Sequence, residues 1–160
     1  MRQAASVRRR LQTEDLTPAP SGALMRYLRP ERLAHDLPTL RLLTRPLARI
    51  RALAERLAPA VGEAVAPRFA VEVVDLFGQI GSGSLPNERL PSAGLALAPQ
   101  ATRSIGTTLD ELAAELRGLP RPVIGRVAAD RLRLDLRCRE VPDELVIQLP
   151  ALRAALIGAP

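Results

Sequence analysis

The side chains here that could do chemistry are few, and their types exclude more than they allow. The 160-residue chain carries 23 basic side chains against 17 acidic ones, a formal charge of +6, and every basic residue is arginine. A guanidinium holds carboxylates and phosphates through its planar fork, but Schiff-base chemistry and general-base work by an amine need lysine. A chain without lysine supplies neither. His35 is the lone histidine and Cys138 the lone cysteine, so neither a zinc centre of Cys and His nor an internal disulfide can form within one chain. Ser82 and Ser84 lack the G-x-S-x-G setting of an activated serine. His35, beside Asp36 in a helical segment, reads as a surface or capping residue rather than a base. No catalytic residue and no metal ligand is expected.

Arginine remains. Arg131, Arg133, Arg137 and Arg139 alternate with Leu132, Leu134, Leu136 and Cys138. In an extended strand this spacing sets the arginines on one face about 7 Å apart, suited to a row of phosphates, and turns the leucines and Cys138 toward the core. An RNA- or anion-binding face is one reading. An ordinary solvated face, with Asp130, Asp135 and Glu140 as partners, is the other. Two features favour the solvated face: Asp135 dilutes the charge in mid-ladder, and no aromatic residue interleaves for base stacking. The arginine excess also has a bland source, since Arg, Ala, Pro, Gly and Leu dominate while Asn occurs once, as GC-rich codons would produce. A second constellation is Gly78-Gln-Ile-Gly81-Ser-Gly83-Ser84. No lysine follows it, and Leu85-Pro86 stands where a helix should open, which argues against a phosphate loop. Gln79, Gly81, Gly83 and Ser84 instead suit tight turns or a contact surface for a neighbouring domain.

The length allows one ordinary domain, or a small domain with a remnant of another. No apolar run reaches the ~18 residues of a membrane span, and no signal-peptide core follows the basic start, so a cytoplasmic protein is expected. Residues 1–21 lack a period and end in Thr17-Pro-Ala-Pro-Ser21, an arm or linker. The clearest helix spans about 45–61, with Thr44 as its N-cap, Pro46 in its first turn, and Leu47, Ile50, Leu53, Leu57 and Val61 on one buried stripe. Arg49, Arg51 and Arg56 lie off that stripe, in solvent. Residues 69–74 and 93–98 read as strands around a polar loop over 78–92. Thr108-Leu-Asp-Glu111 is a capping-box sequence opening a helix to about Arg117. Two strands, 122–127 and 131–139, form a hairpin through Ala128-Ala129-Asp130. Residues 142–156 return to a helical pattern, broken or kinked at Pro150. The order predicts an α+β fold: an antiparallel or mixed sheet with helices on one face.

Several stretches carry a resemblance. They are Tyr27-Leu-Arg-Pro-Glu31 and Leu37-Pro-Thr-Leu-Arg-Leu-Leu-Thr-Arg-Pro46, then Val71-Glu-Val-Val-Asp75 and Gln79-Ile-Gly-Ser-Gly-Ser-Leu-Pro86 with Leu90-Pro-Ser92. Arg121-Pro-Val-Ile-Gly-Arg126 and Leu134-Asp-Leu-Arg137 follow. In this order, across about residues 23–140, the chain resembles the C-terminal portion of the bacterial selenocysteine synthase family, L-seryl-tRNA(Sec) selenium transferase.

The resemblance implies a fold-type-I transferase, dependent on pyridoxal phosphate, that converts seryl-tRNA(Sec) to selenocysteyl-tRNA(Sec) with selenophosphate. It places the cofactor lysine, the large domain and the N-terminal tRNA-binding domain upstream of Met1. Residues 1–30 are then an arm, a remnant of the large domain's end, and 31–160 the small C-terminal domain. Near the cofactor lysine the family has two arginines, three apart, facing the selenium donor. Arg9 falls at the first and Gln12 at the second, so the second is lost. The implied partners are seryl-tRNA(Sec), selenophosphate, and either a second copy or a chain bearing the cofactor domain, with no membrane and no metal. The expectation is a truncated or diverged copy that binds no cofactor alone and is inactive alone. The alternative is a non-catalytic, arginine-rich RNA-binding or assembly module.

Overall fold

Prolines decide where the first helices begin. The computed structural model describes Leu28 and residues 30–79, 89–101 and 103–158, and the chain divides into two compact units between Thr44 and Arg45. In the first unit a 3-10 turn, Pro30–Arg32, leads into α1 (Leu33–Asp36) and α2 (Pro38–Leu43). Leu37 precedes a proline and is held in extended backbone (φ −96°, ψ 115°), which ends α1, while Pro38 opens α2 where no N–H is needed. His35 is exposed, its Nδ1 3.0 Å from an Asp36 carboxylate oxygen, as its sequence setting predicts. Thr44 does not cap the next helix. Its hydroxyl donates to the Leu40 carbonyl at 2.7 Å and closes α2 instead.

The second unit opens with α3 (Leu47–Val65), whose N-cap is Pro46. Ile50, Leu53, Leu57 and Val61 are buried as the 3–4 spacing requires, but Leu47 is 38% exposed, so the buried stripe starts one turn later than expected. Strands β1 (Phe69–Gln79) and β2 (Arg89–Pro99) pair antiparallel over eleven residues, from Phe69 opposite Pro99 to Gln79 opposite Arg89. The loop expected over 78–92 is therefore shorter. Glycine, proline and polar side chains ended the strand pattern in the sequence, yet the partner strand satisfies their backbone groups and extends the ladder.

Helix α4 (Ile105–Gly118) follows β2, then β3 (Arg126–Ala128) and β4 (Arg131–Asp135). The capping box does not form: α4 starts at Ile105, the Thr108 hydroxyl donates to the Ser104 carbonyl at 3.1 Å, and Glu111 accepts from Arg68 at 2.7 Å. Leu109, Leu112, Ala113 and Leu116 form the buried face of α4, as predicted. The hairpin is present, with Ala129 and Asp130 both at positive φ (52° and 55°), the requirement of a type I′ turn. Its strands are shorter than expected, because residues 122–125 pair with no strand and the chain turns after Asp135.

Two helices close the unit, α5 (Asp143–Val146) and α6 (Leu149–Gly158). The break falls at Ile147 and Gln148, ahead of Pro150, whose ring would clash with the carbonyl four residues back in a continuous helix. Gln148 fixes the break. It is buried, its amide donates to the Arg121 carbonyl at 2.9 Å, and its carbonyl accepts the Arg121 N–H at 3.1 Å.

Among the described residues the four strands form one antiparallel sheet in the order β1-β2-β4-β3. Val71, Val73, Leu95, Leu97, Leu132 and Leu134 share one face and pack with α3, α4 and α6 in a single core. This is the expected α+β arrangement, with the sheet wholly antiparallel. The other face of β2 presents Leu90 and then the small Ser92, Gly94, Ala96 and Ala98. A Cβ on Gly94 would collide with the Leu134 carbonyl oxygen and stand 2.7 Å from Leu76 Cδ1. No helix among the described residues is long and apolar enough to cross a membrane.

Gly94→Ala should therefore destabilise the chain by about 3 kcal/mol or more, since the collision is with backbone. Gly106→Ala, in α4 with nothing within 4 Å, should instead be neutral or stabilising by up to ~1 kcal/mol. Urea denaturation of the two variants checks the contrast.

Candidate anion-binding site

The arginine ladder does not survive as one surface. Only Arg131 and Arg133 belong to β4. After Asp135 the chain turns, with the Arg139 N–H donating to the Leu136 carbonyl at 3.1 Å, so the two-residue period is lost where Arg137 and Arg139 stand. Arg137 is buried, 6% exposed, and its guanidinium donates to the carbonyls of Pro91 and Arg45. Arg45 answers it, donating to the carbonyls of Leu136 (3.3 Å), Arg137 (3.0 Å) and Arg139 (2.9 Å). The two side chains tie the start of α3 to β2 and to the turn after β4. Arg137 is thus a structural clamp, not part of an anion-binding face. Arg139 is half-buried and lies 3.9 Å from Glu144. Cys138, expected in the core, is exposed, because the same turn rotates it outward.

Asp135 is not a partner of the ladder either. Its carboxylate accepts from the buried Ser92 hydroxyl at 2.6 Å and from the Arg137 N–H at 2.9 Å. Arg131 reaches diagonally across β2, whose residues on this face are small, to pair with Glu72 on β1. Arg51, on α3, pairs with Asp75.

Arg133 has a different setting. Register places Glu72, Ala96, Arg133 and Arg126 in one row across β1, β2, β4 and β3, on the face away from the helices. There Arg126 and Arg133 stand directly opposite each other. With Arg89 they line a groove of about 370 Å³ whose other walls are Asp75, Leu76, Phe77 and Gly78. No hydrogen-bond acceptor among the described residues engages Arg89, Arg126 or Arg133, and the groove's carboxylate, Asp75, is taken by Arg51. Phe77, 60% exposed, supplies an aromatic residue that the sequence spacing did not associate with any arginine.

Of the residues singled out in the sequence, the groove therefore gathers Arg133 and adds Arg89 and Arg126. Arg126 falls opposite Arg133 because the turn takes only Ala129 and Asp130, one residue fewer than the three-residue connection read from the sequence. Arg89 carried no signal in the sequence, because it lay within a segment read as loop. Gln79 ends β1, while Arg9, Gly81, Gly83 and Ser84 lie outside the described residues. Among those described, no three His, Cys, Asp or Glu side chains cluster so as to hold a metal ion.

Arg45→Met removes three hydrogen bonds to carbonyls and should cost about 1.5–3 kcal/mol. Arg51→Gln, which breaks an exposed ion pair, should cost less than ~1 kcal/mol. Denaturation midpoints at constant m-value distinguish the two.

Comparison with known proteins places these elements in a family. The family model described as SelA, L-seryl-tRNA selenium transferase, matches residues 2–140, a span that includes the sheet and the groove. The L-seryl-tRNA(Sec) selenium transferase of Klebsiella pneumoniae subsp. pneumoniae is 51% identical over 139 residues, covering 86% of this chain and 29% of that protein. The protein of the same name from Salmonella paratyphi B is 48% identical over 139 residues, covering 86% of this chain and 30% of its own length. The chain thus spans less than a third of the length of the curated relatives it matches. With an α+β fold and such identity across most of its residues, this chain belongs to the L-seryl-tRNA selenium transferase family.

Proposed function

We propose that this chain corresponds to the small C-terminal domain of a selenium transferase that acts on seryl-tRNA(Sec) with selenophosphate, and that the amine of the reaction comes from a part of the family's architecture this chain does not carry. The observation that supports the reading is a family match over residues 2–140 in a chain whose 23 basic residues are all arginine. The family implies pyridoxal phosphate, an aldehyde cofactor anchored through a lysine amine. The residues present do not fit that group, because a guanidinium is not the nucleophile such an anchor needs. In this reading residues 1–30 form the arm left by the preceding domain, and Arg9 is the remaining donor-facing arginine. The α+β unit borders an active site completed by a second copy or by a chain with the cofactor domain. Cytoplasmic location follows from the same reading.

The purified chain mixed with pyridoxal phosphate, reduced with borohydride and mapped by mass spectrometry should show no adduct on any internal residue. A labile adduct at the α-amino group is expected chemistry. A reduced adduct at an internal position, or selenocysteyl-tRNA formation by this chain alone, would refute the assignment.

A further inference from the structure

The sheet face turned away from the helices holds charge that neither packing nor pairing uses. Arg126 and Arg133 are direct cross-strand partners in the β3–β4 register, and both line the groove. Like charges directly opposite on antiparallel strands destabilise the pair. Elsewhere on the sheet this chain supplies the matching acid, Glu72 for Arg131 and Asp75 for Arg51. Here, among the described residues, it does not. Arg89, at the start of β2, lines a further part of the same groove, whose volume is about 370 Å³. Leu76, on this face of β1, gives that volume an apolar side.

We infer that this groove is a binding site for a phosphoryl oxyanion, shared between Arg126 and Arg133. The chemistry selects the ligand class. Each guanidinium offers five N–H groups in a rigid fork, and a carboxylate presents two coplanar oxygens, enough for one fork. A tetrahedral phosphoryl group presents oxygens in several directions and serves two forks at once. Binding also neutralises the repulsion between the paired arginines, so the empty hairpin carries a cost that the ligand removes. The volume leaves space beyond one phosphate for whatever the group is attached to, and the phosphoryl group belongs either to a small phosphate ester or to an RNA backbone. The inference rests on the groove alone and stands apart from selenium transfer.

The test uses the 160-residue chain at fixed ionic strength. Inorganic phosphate should raise the thermal midpoint of the wild-type chain and of R56Q/R117Q, which alters two exposed arginines outside the groove. In R126Q/R133Q the shift should vanish, with apparent phosphate affinity falling at least tenfold, about 1.4 kcal/mol. Without phosphate that variant should melt no lower than wild type, because a like-charge pair has been removed. No phosphate-dependent shift in the wild-type chain overturns the site, as does a shift that survives in R126Q/R133Q or is lost equally in R56Q/R117Q. Fluorescence anisotropy with a short single-stranded RNA separates the two sources. RNA binding whose salt slope drops by about one per arginine in R126Q/R133Q identifies a phosphodiester. A phosphate shift without RNA binding identifies a small phosphate ester.

Discussion

Between Ser92 and Leu97 every residue of β2 is buried, on both faces of the strand. Such a strand needs a partner on both edges and cover on both sides, and the remaining elements meet those needs. β1 and β4 take the edges. Leu95 and Leu97, with Ala93, face α3 and α4 across the core. On the opposite side the residues between Ser92 and Leu97 are Ser92, Gly94 and Ala96, small enough for neighbouring side chains to cover. Gly94 is the tightest point, since the Leu134 carbonyl occupies the space its Cβ would fill.

That constraint also sorts the arginines. Small residues on β2 let Arg131 cross to Glu72, and they leave Arg133 and Arg126 side by side at the groove. Arg137 and Arg45 lie beyond the regular strand, where backbone carbonyls have no ladder partner. A guanidinium is well suited to such a place, because its several N–H groups satisfy several carbonyls at once while its charge is spread over the plane. Identical side chains four residues apart in sequence thus serve unrelated ends: Arg133 lines a groove, and Arg137, two residues after the strand ends, is a buried tie.

Membership of the selenium transferase family and the arginine-lined groove are separate observations on the same fold. The first comes from identity spread over most of the chain, the second from a register between two short strands. The lack of lysine bears on the first alone, and the unmatched cross-strand pair bears on the second alone.

The alternation of 131–136, the 3–4 spacing in α3 and α4, the existence of the last hairpin and the absence of lysine were all legible along the chain, because each depends on local geometry or on residue type. The turn itself is one residue shorter than the sequence reading, since Ala128 pairs with Arg131. The helix starts at Thr44 and Thr108 were misread for a common reason. A threonine hydroxyl can cap the helix that follows or bond back to the turn before it, and only the packed chain chooses. Strand ends were likewise beyond local reading. β1 and β2 run through glycine and proline because each has a partner, and β4 stops at Asp135 because Ser92 and the Arg137 N–H hold that carboxylate at a turn. The sequence by itself determined which side chains this protein has for chemistry and the period that buries its core. Tertiary structure alone decided which arginines meet, since cross-strand register sets Arg126 opposite Arg133 on the face away from the helices, while the turn after Asp135 buries Arg137.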